Sequence, residues 1–134
     1  MLKKYEVEWK DDFSVMFAVD HSVMTDEKLH EINNFWSDSE DRLDDADGNI
    51  TKAVLTLLAG VALTIQLEYG LNAFGVMKRF DWDDDGGVEG WPKMDGSDGI
   101  LLAQISGIEF YESDFWIKEA PLQAMPEAPK PFTG

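Results

Sequence analysis

Residues 53–67 form a run of fifteen without a charged side chain, inside a sequence otherwise crowded with acids. Asn49 or Thr51 can cap a helix that opens ahead of this run and reaches about Tyr69, where Gly70 stands in the usual stop position. At helical pitch its polar residues fall on one line at four-residue steps, Lys52, Thr56, Gly60, Thr64 and Glu68, and the rest of its circumference is apolar. A helix with so thin a polar face is either central in the fold or half-covered by a second subunit. The central position is the primary expectation, and a homodimer through residues 53–67 is the alternative. The run is shorter than the ~20 residues a membrane span needs. At the start of the chain, Glu6 and Glu8 follow Lys3 and Lys4 where a secretion signal needs an apolar stretch. The chain is therefore expected to be soluble, cytoplasmic and free of membrane contact.

The remaining elements arrange themselves around that helix. Tyr5, Val7 and Trp9 alternate with Glu6 and Glu8, and Phe13, Val15, Phe17 and Val19 repeat the alternation beyond Lys10-Asp11-Asp12. This period of two predicts a β-hairpin over residues 4–20. Thr25 opens a helix, with Asp26 and Glu27 complementing its positive end and Met24 and Leu29 at the spacing of a hydrophobic staple. Leu29, Ile32, Phe35 and Trp36 are its expected buried stripe. Residues 38–47 read as a frayed helix end and loop, residues 71–80 as a short helix interrupted by Gly75, and residues 81–99 as a long loop pinned by Trp82, Trp91 and Pro92. Strands are expected at 100–110 and 115–118. The order β-β-α-α-β-β predicts an α+β domain over residues 1–120, an antiparallel sheet of about four strands with helices on one face. Residues 121–134, marked by Pro121, Pro126, Pro129 and Pro131, are expected to form a disordered tail.

Charge narrows the function. With 27 acidic and 11 basic residues the formal charge is −16, which argues against direct contact with nucleic acid or anionic lipid, where each phosphate needs a cation. The absence of cysteine removes thiol nucleophiles and thiolate metal sites. His21 and His30 are the only histidines, and no phosphate loop, nucleophile elbow or HExxH pattern accompanies them, so no catalytic role, cofactor or metal is expected. Asp81, Asp83, Asp85 and Gly86 match the opening of a calcium loop, with Glu89 at its ninth position. Pro92 stands at the twelfth, where a bidentate glutamate belongs, so calcium remains an alternative only.

The acids are concentrated in two places. Residues 38–47 contain Asp38, Glu40, Asp41, Asp44, Asp45 and Asp47, and residues 81–98 contain Asp81, Asp83, Asp84, Asp85, Glu89, Asp95 and Asp98. If residues 38–47 were helical, six charges would lie along roughly 15 Å, about one per 2.5 Å, against one per ~1.7 Å on duplex DNA. A surface of that density can occupy a Lys/Arg-lined groove built for nucleic acid. Phe35, Trp36, Trp82 and Trp91 would add aromatic contacts at its rim. The plainer reading is charge held for solubility, with Trp82 and Trp91 simply pinning a loop.

Three stretches carry a resemblance: Met24-Thr25-Asp26-Glu27-Lys28-Leu29-His30-Glu31-Ile32-Asn33-Asn34-Phe35-Trp36, Arg42-Leu43-Asp44-Asp45-Ala46-Asp47-Gly48, and Phe80-Asp81-Trp82-Asp83 continuing to Glu89-Gly90-Trp91-Pro92-Lys93-Met94-Asp95-Gly96. They resemble an uncharacterised domain-of-unknown-function family of phages, prophages and plasmids, over about residues 5–119. The resemblance implies a mobile-element setting and no catalytic residues. Together these readings lead to the expectation of an anti-defence protein of anti-CRISPR or anti-restriction type. Its partner would be a basic nucleic-acid-binding protein or complex of bacterial immunity. The residues expected to meet that partner are Asp38, Glu40, Asp41, Asp44, Asp45, Asp47, Asp81, Trp82, Asp83, Asp84, Asp85, Glu89 and Trp91. The alternative is a small calcium-binding or homodimeric accessory protein.

Overall fold

The computed structural model describes residues 2–10, 13–84, 86–106, 117–119, 121 and 124–129. Two strands, β1 (Leu2–Trp9) and β2 (Phe13–Asp20), pair antiparallel from Leu2↔Asp20 to Trp9↔Phe13, the expected hairpin. A third strand, β3 (Ile100–Ile105), pairs antiparallel with the other edge of β2, giving the order β1-β2-β3. Val15, Phe17 and Val19 on the central strand are buried, and Ile100, Leu102 and Ile105 join them from β3. The step from Leu102 to Ile105 breaks strict alternation. A register shift opposite Met16 and Phe17 explains it, since the extra residue returns Ile105 to the inner face. The edge strand β1 carries Lys3, Lys4, Glu6 and Glu8, all exposed, which discourages pairing with a further strand.

Four helices complete an α+β fold: α1 (Asp26–Phe35), α2 (Ser39–Asp45), α3 (Ile50–Tyr69) and α4 (Ala73–Arg79). Helix α3 packs on β1 and β2, α4 on β3, and α1 and α2 on α3. Ile50, Val54, Leu55, Leu58 and Ala62 of α3 lie in one core with Val15, Phe17, Leu29, Val76, Phe80, Trp91 and Met94. The helix is central, and its predicted polar line from Lys52 to Glu68 is the exposed one. Asn49 caps its start, its side chain accepting the Lys52 N–H at 3.1 Å, and Gly70 closes its end in the left-handed conformation. At 20 residues the helix is longer than the apolar run alone, and its length and composition would suit a membrane span. Its inner face is nonetheless packed into the core, as befits a central helix.

Several local expectations are corrected. Residues 38–47 are not a frayed end but contain α2, for reasons given below. Gly75 does not interrupt α4: it sits in the first turn, where its N–H donates to the capping side chain of Asn72 at 2.8 Å. Phe35 is 54% exposed, and Asn33 is buried instead. Three strands occur among the described residues. The expected strand at 115–118, and the part of the 100–110 strand beyond Ser106, fall largely outside them. Residues 124–129 are exposed and form no regular element, and the rest of the expected tail lies mostly outside the described residues.

The placement of α3 makes a direct prediction. Leu58, fully buried, should lose about 3 kcal/mol on truncation to Ala, through lost transfer energy and the cavity left behind. Leu67, at 56% exposure, should lose under about 0.5 kcal/mol. Urea denaturation of both variants checks this, and equal losses would contradict the central position of α3.

Candidate partner-binding face

Helix α2 ought to be a poor helix. Glu40 and Asp44, like Asp41 and Asp45, are like charges four residues apart, each pair costing about 0.2–0.5 kcal/mol. Asp44 and Asp45 also stand in the last turn, at the negative end of the dipole, for roughly 0.3–1 kcal/mol each. What offsets this is Arg42. Its guanidinium donates to the Asn33 carbonyl at 3.2 Å, to Asn33 Oδ1 at 2.6 Å and, at close range, to the Ser37 carbonyl. Asn33, 1% exposed, donates its own amide to the Ser39 carbonyl at 3.1 Å. Hydrogen bonds to a charged donor contribute about 1.5–3 kcal/mol each, so the anchor outweighs the repulsion. Leu43, half-buried, and Ala46, buried, face the core. The helix closes where Gly48, at positive φ, donates to the Leu43 carbonyl at 2.9 Å.

Arg42 thus spends its donors on carbonyl and amide oxygens. Asp38, Glu40, Asp41, Asp44, Asp45 and Asp47 are all exposed, and none has an ion pair among the described residues. Glu40, Asp41, Asp44 and Asp45 stand on α2 itself, and Asp38 and Asp47 flank it.

The second acidic stretch is built differently. Lys78 reaches Asp84 at 2.5 Å and Asp81 at 3.9 Å, while Lys93 reaches Asp81 at 3.6 Å and pairs closely with Asp83. Asp81 also accepts the Asp83 N–H at 3.0 Å, Asp98 accepts the Lys93 N–H at 3.0 Å, and Asp95 accepts the Ser97 N–H at 2.9 Å and its hydroxyl at 2.6 Å. These carboxylates fold the loop. The hydrogen bond from Lys78 holds Asp84 below the ordinary 3.8, and those from Ser97 do the same for Asp95. The hydrogen bond to Asp83 holds Lys93 above its ordinary 10.5. The lowered acids contribute stability above 3.8 that is lost as pH falls through their folded values, and Lys93 contributes stability that is lost as pH rises through its own. The clamp is therefore complete between those limits. Lysine ammonium groups occupy Asp81 and Asp83, two of the carboxylates that a calcium loop would offer, and the described residues hold no cluster of three or more possible metal ligands. Asp85 lies outside the described residues. Glu89 is exposed.

The end of α1, just ahead of the first stretch, meets the second through aromatic rings. Trp36 stacks on Trp91 with centroids 6.1 Å apart, and Phe35 meets Trp36 edge-on at 5.0 Å. Gly90 permits this approach, since a Cβ there would stand 2.7 Å from both Phe35 and Trp36. Trp91 is 3% exposed and supports the face from beneath, whereas Trp82 is 49% exposed. Sequence reasoning missed the work of Asn33, Lys78 and Lys93. Arg42 left a signal, as the lone cation among six acids, and that pattern suggests an anchor.

With this geometry in view, the family can be assigned. The model of a protein family of unknown function, DUF2528, matches residues 14–116. The chain belongs to the DUF2528 family. Among its relatives are Protein ea10 of Escherichia phage lambda and Lambda prophage-derived protein ea10 of Escherichia coli O6:H1. Each is 50% identical over 113 residues, covering 84% of this chain and 92% of the relative. This DUF2528 chain therefore has phage and prophage relatives, as the resemblance implied. No solved structure matches it.

Arg42→Ala should destabilise the protein by about 3 kcal/mol, because it leaves Asn33 Oδ1 buried without its donor and frees the repulsion in α2. Chemical denaturation measures this, and a change under about 0.5 kcal/mol would contradict the anchoring role.

Proposed function

We propose that this DUF2528 protein is an anti-defence inhibitor that acts in the cytoplasm of the host cell by binding, without catalysis. Its α2 face occupies a Lys/Arg-lined surface of a bacterial immune complex that would otherwise hold nucleic acid. The observation that carries this reading is the orientation of Arg42. Its donors turn inward, leaving Glu40, Asp41, Asp44 and Asp45 on one short helix, and Asp38 and Asp47 at its two ends, exposed and without ion pairs among the described residues. Charge kept only for solubility needs no such fixed support, and a helix that tolerates its own repulsion is suited to a partner that relieves it. Counterion release from the partner's basic groove supplies the affinity, as it does for nucleic acid. The 81–98 loop contributes through its shape and through Trp82, since Lys78 and Lys93 already engage Asp81, Asp83 and Asp84. The phage and prophage origin of the relatives supports the setting, because restriction and CRISPR complexes are what a phage meets there.

The test is phage plating on hosts that each carry one restriction or CRISPR system, with and without this protein. Plating should recover at least about tenfold on one or more hosts. The variant Asp41→Lys/Asp44→Lys/Asp45→Lys should give no recovery while keeping its fold by circular dichroism. Recovery on no host, or full recovery by the variant, would overturn the proposal.

A further inference from the structure

The structure holds a groove of about 480 Å³ between α1 and the 81–98 loop, lined in part by Ile32, Trp82, Pro92, Lys28, Glu31 and Asp98. We infer that this groove seats an arginine side chain of the partner against the indole of Trp82. The inference rests on the basic partner proposed above and adds a contact that charge alone does not require. Trp82 is half exposed, yet it is held at two points. Its Nε1 donates to the Trp91 carbonyl at 2.8 Å, and the Gly87 backbone lies against its fused rings. A Cβ at Gly87 would stand 2.2 Å from the indole, and φ there is +73°, so both space and backbone require glycine. The ring is fixed before any ligand arrives, which removes the ordering cost a mobile surface tryptophan would carry into binding.

A fixed indole beside carboxylates is a cation's environment. Glu31 is exposed on the groove, and Asp98 is held there by the Lys93 N–H. A guanidinium can stack flat on the indole while its edge donors reach carboxylate oxygens. An ammonium is a compact, strongly hydrated charge that stacks less well, while Lys28, also on the groove, has its own ammonium engaged by the Val23 carbonyl at 3.0 Å. The groove therefore selects arginine over lysine, whereas the α2 carboxylates accept either.

Calorimetric titration of the full chain with a capped triarginine peptide and its trilysine counterpart tests this. Triarginine should bind about tenfold more tightly, and Trp82→Ala should erase that preference. Because Trp82 also holds the loop, Glu31→Lys provides a second variant at an exposed helix position. It should weaken triarginine about tenfold by placing an ammonium in the groove. The Asp41→Lys/Asp44→Lys/Asp45→Lys variant should bind both peptides less tightly and keep the preference. Equal affinity of the two peptides for the wild-type chain would overturn the inference, as would a preference that survives Trp82→Ala or an undiminished triarginine affinity in Glu31→Lys. An intact preference without rescue of phage plating would instead overturn the anti-defence reading alone.

Discussion

The guanidinium of Arg42 stands among six carboxylates and donates to the Asn33 amide oxygen and two backbone carbonyls. That choice of acceptors governs the acidic surface. Had Arg42 paired with Asp38 or Asp45, the helix would have lost its tie to α1, and the local charge would have been partly cancelled. Anchoring to Asn33 instead converts a sequence with poor helix energetics into a defined element. Repulsion within α2 sums to roughly 1–3 kcal/mol, below what three bonds from a charged donor contribute at a half-buried site.

The same residue type does opposite work in the 81–98 loop. In the 81–98 loop the aspartates close turns and engage Lys78 and Lys93, so their charge holds a long connection in shape. In α2 the acids are held up by the rest of the molecule and displayed. Trp36, at the end of α1, stacks on Trp91 of the loop, while α2 is tied to α1 through Arg42 and Asn33. Electrostatics here both builds a surface and forms its message, and the bonding partners of each carboxylate decide which.

Much of the fold was legible because it follows from periodicity and capping. The hairpin alternation, the Thr25 and Asn49 caps, the Gly70 stop and the polar line on α3 each rest on a local rule that the tertiary structure did not override. The acidic segments were harder. Residues 38–47 look like a loop because six acids depress helix propensity, and the compensating bonds come from Asn33 and Ser37, which only the folded chain brings to Arg42. In the same way, Lys93 is ten residues from Asp83 and Lys78 six from Asp84, so nothing local announces that they meet. Asn33 itself sits on the inner side of α1, where an apolar residue is the ordinary expectation, and so Phe35 was assigned inward in its place. A buried polar residue reads as an error until its partner is seen.

The central claim is that the carboxylates of Glu40, Asp41, Asp44 and Asp45 are displayed on an ordered helix. Amide hydrogen exchange across residues 39–46, compared with α1 and repeated in Arg42→Ala, measures this most directly. The account predicts protection of these amides approaching that of α1 in the wild-type protein, with loss of protection in the variant confined chiefly to this segment. Exchange at the rate of a free peptide in the wild-type protein would contradict it, leaving the acids as diffuse charge on an unstructured strand of chain.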